Sequence, residues 1–158
     1  MSLYGKLSLI ISILKSGRYI VSGQSMEPVL SNNQIVFVNK NAYTFVRPQR
    51  GDIIVVTLAS SPSIAAVKRI IGLPNETIKL SDRGVWINGK AITASWSGHY
   101  VDKIPQHLEW TTQENEYVVL GDNISLLKPE MNSKMIGLVK ISQIIGQANF
   151  RLWPMNKL

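Results

Sequence analysis

From residue 18 onward, apolar and polar positions alternate in short runs separated by turn residues, which is the period of half-buried β-strands. Strands are expected at Arg18 to Val21, Gln34 to Asn39, Asp52 to Thr57 and Ile64 to Ile71. The last of these is apolar except for Lys68 and Arg69. Gly84 to Ile92 reads as a hairpin, with Asn88-Gly89 supplying a two-residue type I′ turn. Tyr117 to Leu120 forms a strand entering Gly121-Asp-Asn123, and Gly137 to Gly146 is the expected closing strand. The segment 93–116 is richer in polar and aromatic residues and reads as a small excursion from the core. The pattern predicts a mainly β fold, as a barrel or coiled sheet, with a short N-terminal helix.

Residues 1–17 differ from the rest. Leu7-Ser-Leu-Ile-Ile-Ser-Ile-Leu14 is an apolar run bracketed by Lys6 and Lys15. A spanning helix needs about 20 mostly apolar residues, so this run falls short unless the lysines snorkel to both surfaces. Lys15-Ser-Gly-Arg18 follows it without a small-residue cleavage site. Two readings stand open: an amphipathic helix lying on a membrane or on the domain, or the remnant of a longer anchor. The chain thus divides into a membrane-associating segment, 1–17, and a β domain, 18–158.

The 158 residues suffice for one domain, and 45% hydrophobic with 17% charged residues argues for a packed core over disorder. The net charge of +7 suits nucleic acid, anionic lipid or solubility without choosing among them. Cysteine is absent, which removes disulfides, thiol nucleophiles and Cys-ligated metals. No nucleotide loop or metal-spaced cluster occurs, so no cofactor is expected.

Two features could carry chemistry. In Ser22-Gly-Gln-Ser25-Met-Glu-Pro28, a serine lies in a tight segment after a strand; Gly23 permits unusual backbone angles and Pro28 fixes the exit. Such a loop can aim a hydroxyl and an N–H at one point, although by itself the feature reads more readily as an ordinary turn. The second is Lys68. Strand alternation sends Val67 and Arg69 to one face and Lys68 to the other. Burial would lower its pKa and make it a usable base, whereas a snorkelling edge lysine would do neither. A serine activated by lysine is a known variant of the serine–histidine–aspartate arrangement. The only histidines, His99 and His107, fall in the polar excursion.

Ser22-Gly-Gln-Ser25-Met-Glu-Pro28, Arg50-Gly-Asp-Ile-Ile-Val55, Lys68-Arg-Ile-Ile-Gly-Leu-Pro74 and Gly121-Asp-Asn123 resemble, in order and spacing, the four boxes of type I signal peptidases. The compact size is similar to Gram-positive and mitochondrial inner membrane members. The resemblance implies a membrane-associated serine endopeptidase that removes signal peptides after small residues. It implies Ser25 as nucleophile and Lys68 as general base. A Gly23 or Gln24 backbone group, or a water, would supply a second oxyanion donor beside the Ser25 N–H. The preprotein would bind as an extended strand, with Val21, Leu30, Val36 and Val67 lining small-residue pockets or simply packing the core. Arg69 reads as structural, bracing Asp122. The location implied is the extracytoplasmic face of a bacterial membrane or the mitochondrial inner membrane, with basic Lys6, Lys15 and Arg18 facing anionic lipid.

The chain departs from the family at several positions. Val29 replaces a threonine, and Asn33-Gln34 replaces glycine–aspartate. After Asn123 the stretch to Lys134 is longer than usual, so the lysine-orienting serine of the family matches Ser133 or Ser125. Other readings fit less. Ser12-Ile-Leu-Lys15 has the Ser-X-X-Lys string of penicillin-binding enzymes without their further motifs. A nucleic-acid-binding barrel would place aromatic and basic residues on one sheet face, whereas Trp86, Trp96, Trp110 and Trp153 are scattered, so no nucleic acid is expected. A self-cleaving repressor domain would need more chain before the first strand. A catalytically weak scaffold is argued against by the presence of both Ser25 and Lys68.

Overall fold

The computed structural model describes residues 16–58, 61–100, 107–124, 136–152 and 155–157. The N-terminal apolar run, Lys6, Lys15, Ser125, Ser133 and Trp153 lie outside the described residues.

The fold is mainly β. The larger sheet contains β1 (Ser16–Ile20), β2 (Ile35–Asn39), β3 (Ile53–Leu58), β4 (Ser61–Gly72), β9 (Glu116–Leu120), β10 (Ile136–Lys140), β11 (Ile144–Leu152) and β12 (Met155–Lys157). Its order is β1-β2-β11-β3-β4-β9-β10, with β12 paired to β11. The smaller sheet, ordered β7-β6-β5-β8, contains β5 (Thr77–Ser81), β6 (Gly84–Ile87), β7 (Lys90–Ala91) and β8 (Leu108–Thr111).

β2 and β3 show why these runs become strands. In β2, Val36 and Val38 are buried while Ile35, Phe37 and Asn39 are only partly covered. In β3, Val55 enters one core cluster with Val21, Met26 and Leu30, and Ile54 and Val56 enter another with Ile70, Tyr117 and Val119. A strand packed on both faces reads as a continuous apolar run. Each fully buried aliphatic side chain contributes roughly 1.5–3 kcal/mol of transfer free energy.

A third cluster joins the sheets: Ile71, Val118 and Leu120 of the larger one pack on Ile78, Leu80, Val85 and Ile87 of the smaller. The turn between β4 and β5 is held by polar bonds. The guanidinium of Arg50 donates to Glu76 and to the Ile71 carbonyl. Glu76 Oε2 accepts the Leu73 N–H at 2.7 Å, and Thr112 Oγ1 donates to the Leu73 carbonyl at 2.6 Å.

The β6–β7 hairpin turns on Asn88 and Gly89 with φ of 49° and 78°, the left-handed pair a type I′ turn requires. The expected closing strand Gly137 to Gly146 is instead two strands far apart in the sheet, β10 beside β9 and β11 between β2 and β3. A 3-10 turn, Ile141–Gln143, separates them. Gln143 fixes that turn, accepting the Lys140 N–H at 2.8 Å and donating to the Thr57 carbonyl at 3.1 Å. The segment 93–116 contributes a 3-10 turn, Ser97–Tyr100, and β8, which pairs with β5.

Candidate active site

The chain leaves β1 at Ile20 and returns to β2 at Ile35, and the loop between them is closed by its own backbone. Val21 N–H donates to the Gln34 carbonyl and Asn33 N–H to the Val21 carbonyl, both at 2.8 Å. Asn33 is left-handed at φ 66°, a region that asparagine tolerates. Met26 and Leu30 are fully buried and plug the loop into the core, while Ser22, Gly23 and Gln24 stay exposed. Ser25 sits at the boundary between these two halves, partly buried.

The Gly-Asp-Asn segment clamps this loop from the other side. Asn123 N–H donates to the Ser25 carbonyl at 3.0 Å. A Cβ at position 121 would collide with that same carbonyl, so only glycine lets the two backbones approach. Asp122 is 1% exposed and accepts two bonds from Arg69, from Nε at 2.7 Å and from Nη2 at 2.6 Å. Arg69 Nη1 also donates to the Gly51 carbonyl at 2.8 Å, tying β4 to the Arg-Gly-Asp segment. The Tyr100 hydroxyl donates to Asp122 Oδ1 at 3.3 Å. Burial and the adjacent Asp122 carboxylate push the Tyr100 hydroxyl pKa well up, so it remains a donor.

Lys68 is 4% exposed on β4, opposite Ile54. Its Nζ donates to Ser25 Oγ at 2.9 Å, across a sequence separation of 43. Burial pulls its pKa down from 10.5 to about 8, against the opposing pull of the Asp122 carboxylate. Burial wins because Asp122 already satisfies Arg69 in a bidentate pair, which leaves less field for the lysine. At neutral pH roughly a tenth of such a lysine is the free amine, against a few ten-thousandths of an ordinary one.

The other expected site residues fall as follows. Val21, Leu30 and Val36 are buried in one apolar cluster with Met26, and Val67 packs against it partly covered. The Gly23 N–H is taken by Asn32 Oδ1 at 2.8 Å, so it does not face the Ser25 hydroxyl as a free donor. Among the described residues, no acceptor takes the N–H of Ser25 or of Gln24. Ser125 and Ser133 lie outside the described residues. Tyr100 and Asn32 each hold the site, and sequence reasoning missed them; Gly51 lay in a matched box with no role assigned. Tyr100 is one aromatic among several in a polar stretch, and a bond to a residue 22 positions away has no local signal. No group of metal-ligating side chains occurs among the described residues, and none of their helices is long and apolar enough to cross a membrane.

A serine hydroxyl hydrogen-bonded to a buried lysine of lowered pKa, inside a β scaffold, is the constellation of a serine-type hydrolase with a lysine base. The signal peptidase, peptidase S26 family model matches residues 2–153. The chain is 35% identical over 157 residues to signal peptidase I of Leptolyngbya laminosa, covering 93% of this chain and 73% of that protein. It is 32% identical over 162 residues to signal peptidase I S of Bacillus subtilis strain 168, covering 96% and 85%. The crystal structure of a signal peptidase I from Enterococcus faecalis V583 superposes with a TM-score of 0.51 at 29% identity, over 64% of this chain and 96% of that one. The chain belongs to the signal peptidase family and is a serine-type endopeptidase.

Proposed function

We propose that this protein removes signal peptides from exported preproteins at a membrane surface, with Ser25 as nucleophile and Lys68 as general base. The observation that carries this reading is the 2.9 Å contact between Lys68 Nζ and Ser25 Oγ at a lysine whose pKa falls to about 8.

The neutral amine of Lys68 takes the Ser25 proton as Oγ attacks the scissile carbonyl. The Ser25 N–H, which has no acceptor among the described residues, faces the developing oxyanion, with the Gln24 N–H as the second candidate donor. The Lys68 ammonium then protonates the leaving amine, the C–N bond breaks and an acyl-serine remains. Water, deprotonated by the regenerated amine, releases the peptide and restores both groups. The substrate lies extended beside the serine and lysine segments. Val67, partly covered beside the buried Val21, Leu30 and Val36, would present an apolar edge against which small side chains such as alanine fit. In this reading the β domain works on the extracytoplasmic face of a membrane, with residues 1–17 as the membrane-associating segment.

The test is cleavage of a peptide carrying an Ala-X-Ala site, in detergent, from pH 6 to 10. The wild type should cut after the final alanine, with kcat/KM rising as pH passes through about 8 because only the free amine is a base. Ser25→Ala and Lys68→Ala should each lose at least about a thousandfold in kcat. Lys68→Arg should fail as well, since a guanidinium does not give up its proton. Retained cleavage in Lys68→Ala overturns the mechanism.

A further inference from the structure

Phe45 is 97% exposed and Val46 is 60% exposed, the two most prominent apolar side chains on the loop between β2 and β3. A floppy loop could show this by accident, but this loop is built. Ala42 N–H donates to the Asn39 carbonyl and Thr44 N–H to the Asn41 carbonyl, both at 3.3 Å, and Asn41 N–H donates to Asn39 Oδ1 at 3.0 Å. On one flank, Tyr43 packs against the cluster of Ile54, Val56, Ile70 and Tyr117, and its hydroxyl donates to Asp52 Oδ2 at 2.9 Å. On the other, Pro48 is buried and Gln49 N–H donates to the same carboxylate at 2.9 Å. Gln147 from β11 donates to Asp52 Oδ1 at 2.9 Å and holds the carboxylate in place. Asp52 therefore grips both feet of the loop, and Thr44 to Arg47 project between them into solvent.

The chemistry of the tip has one sign. Lys40 and Arg47 are exposed on either side of Phe45-Val46, and no acidic residue occurs from Lys40 to Gly51. An aromatic and a branched aliphatic side chain between two cations match an anionic surface with an apolar interior. The position of the loop matches as well. β1 pairs antiparallel with β2, with Ser16 opposite Asn39, so β1 begins where β2 ends. Ser16 is joined through Lys15 to the apolar run Leu7 to Leu14. The root of the Phe45 loop and the junction with that run thus lie at one end of the sheet.

We propose that the β2–β3 loop is a membrane-docking element, in which Phe45 and Val46 enter the interfacial layer of an anionic bilayer while Lys40 and Arg47 pair with lipid headgroups. This rests on the reading that the enzyme works at a membrane surface. The loop gives the domain a second lipid contact beside the N-terminal segment. Two contacts fix an orientation that a single contact leaves free.

The absence of cysteine makes the test site-specific. A Phe45→Cys chain is labelled with an NBD fluorophore and mixed with vesicles of phosphatidylcholine containing phosphatidylglycerol. Glu114→Cys, in the exposed turn between β8 and β9, is the reference. Co-sedimentation scores binding of the whole chain, and peptide cleavage in detergent scores the peptidase independently. NBD at position 45 should blue-shift, brighten severalfold and be quenched by nitroxide lipids, with little change at position 114. The double variant Phe45→Ser, Val46→Ser should bind these vesicles about tenfold more weakly and cut the detergent-borne peptide at the wild-type rate. Vesicle-bound protein with unchanged NBD at position 45 overturns the loop proposal and leaves the membrane reading standing. Blue-shifted NBD in buffer that lipid does not alter means a protein segment covers the tip, and also overturns it. A labelled chain that cleaves peptide but binds no vesicles overturns both the docking loop and the membrane location while leaving the peptidase in place.

Discussion

At Lys68 two influences oppose each other, and the balance sets both reactivity and stability. Burial favours the free amine and the Asp122 carboxylate favours the ammonium, leaving a pKa of about 8. Above about pH 10.5 the lysine is neutral folded or unfolded and contributes nothing to the pH dependence. Between about 10.5 and 8 the unfolded chain binds the proton and the folded chain does not, so stability falls as pH falls through this window. Below pH 8 the penalty is complete, on the order of 3 kcal/mol at roughly 1.4 kcal/mol per pKa unit. Lys68→Met should therefore be more stable than wild type at pH 7 by urea unfolding, with the gap closing toward pH 10.5. A gap that stays constant with pH would show that folding does not lower the pKa of the lysine. The residue scale is also where the sequence was most informative. Ser25 and Lys68 stood out because a serine in a glycine–proline loop and a lysine in an apolar strand are each locally odd. Phe45 did not, because one aromatic in a polar loop looks the same exposed or buried until the backbone is folded.

At the scale of elements, the site is a serine loop trapped between β4 and the Gly-Asp-Asn segment. The collision awaiting a Cβ at position 121 involves backbone on both sides, so neither partner can rotate away. Gly121→Ala should lower kcat by about tenfold or more through displacement of Ser25, with KM for the peptide changing less. Equal kcat in the variant would mean that the loop is not positioned from this side. Asp122→Asn strands the Arg69 charge, which is 7% exposed, and should destabilise by about 3–5 kcal/mol. In whatever fraction folds, the rising limb of the pH–rate profile should move to lower pH, because the carboxylate that favours the Lys68 ammonium is gone. Strands with one or two clean apolar faces, such as β2, β3, β4 and β9, were legible from alternation alone. β5 and β8 were not. They are short, and exposed Lys79 and Glu109, paired across the strands, dilute the pattern. The division of Gly137 to Gly146 into β10 and β11 depends on a Gln143 bond to Thr57, 86 positions away, which no local rule anticipates.

Across the whole molecule, the two sheets share a core. Ile71, Val118 and Leu120 cannot lose the smaller sheet without exposing apolar surface, and Arg50, Glu76 and Thr112 hold the connection. Unfolding of the described β domain should be one calorimetric transition with matching calorimetric and van't Hoff enthalpies. Glu76→Gln, which removes the charge partner of Arg50, should lower its midpoint without splitting it, at a loss of about 1–3 kcal/mol. Two resolved transitions would mean that the sheets fold as separate units.

The wide spacing of the proposed catalytic partners would also govern when the enzyme switches on. Ser25 waits for Lys68, and Arg69 finds Asp122 across 53 positions. Contacts so distant along the chain form late, because loop closure must precede them. A nascent or half-assembled molecule therefore carries a serine and a lysine with no chemistry between them. With Ser25 and Lys68 in those roles, proteolytic competence would arrive only once the large sheet has closed, and a chain still folding would not cut its neighbours.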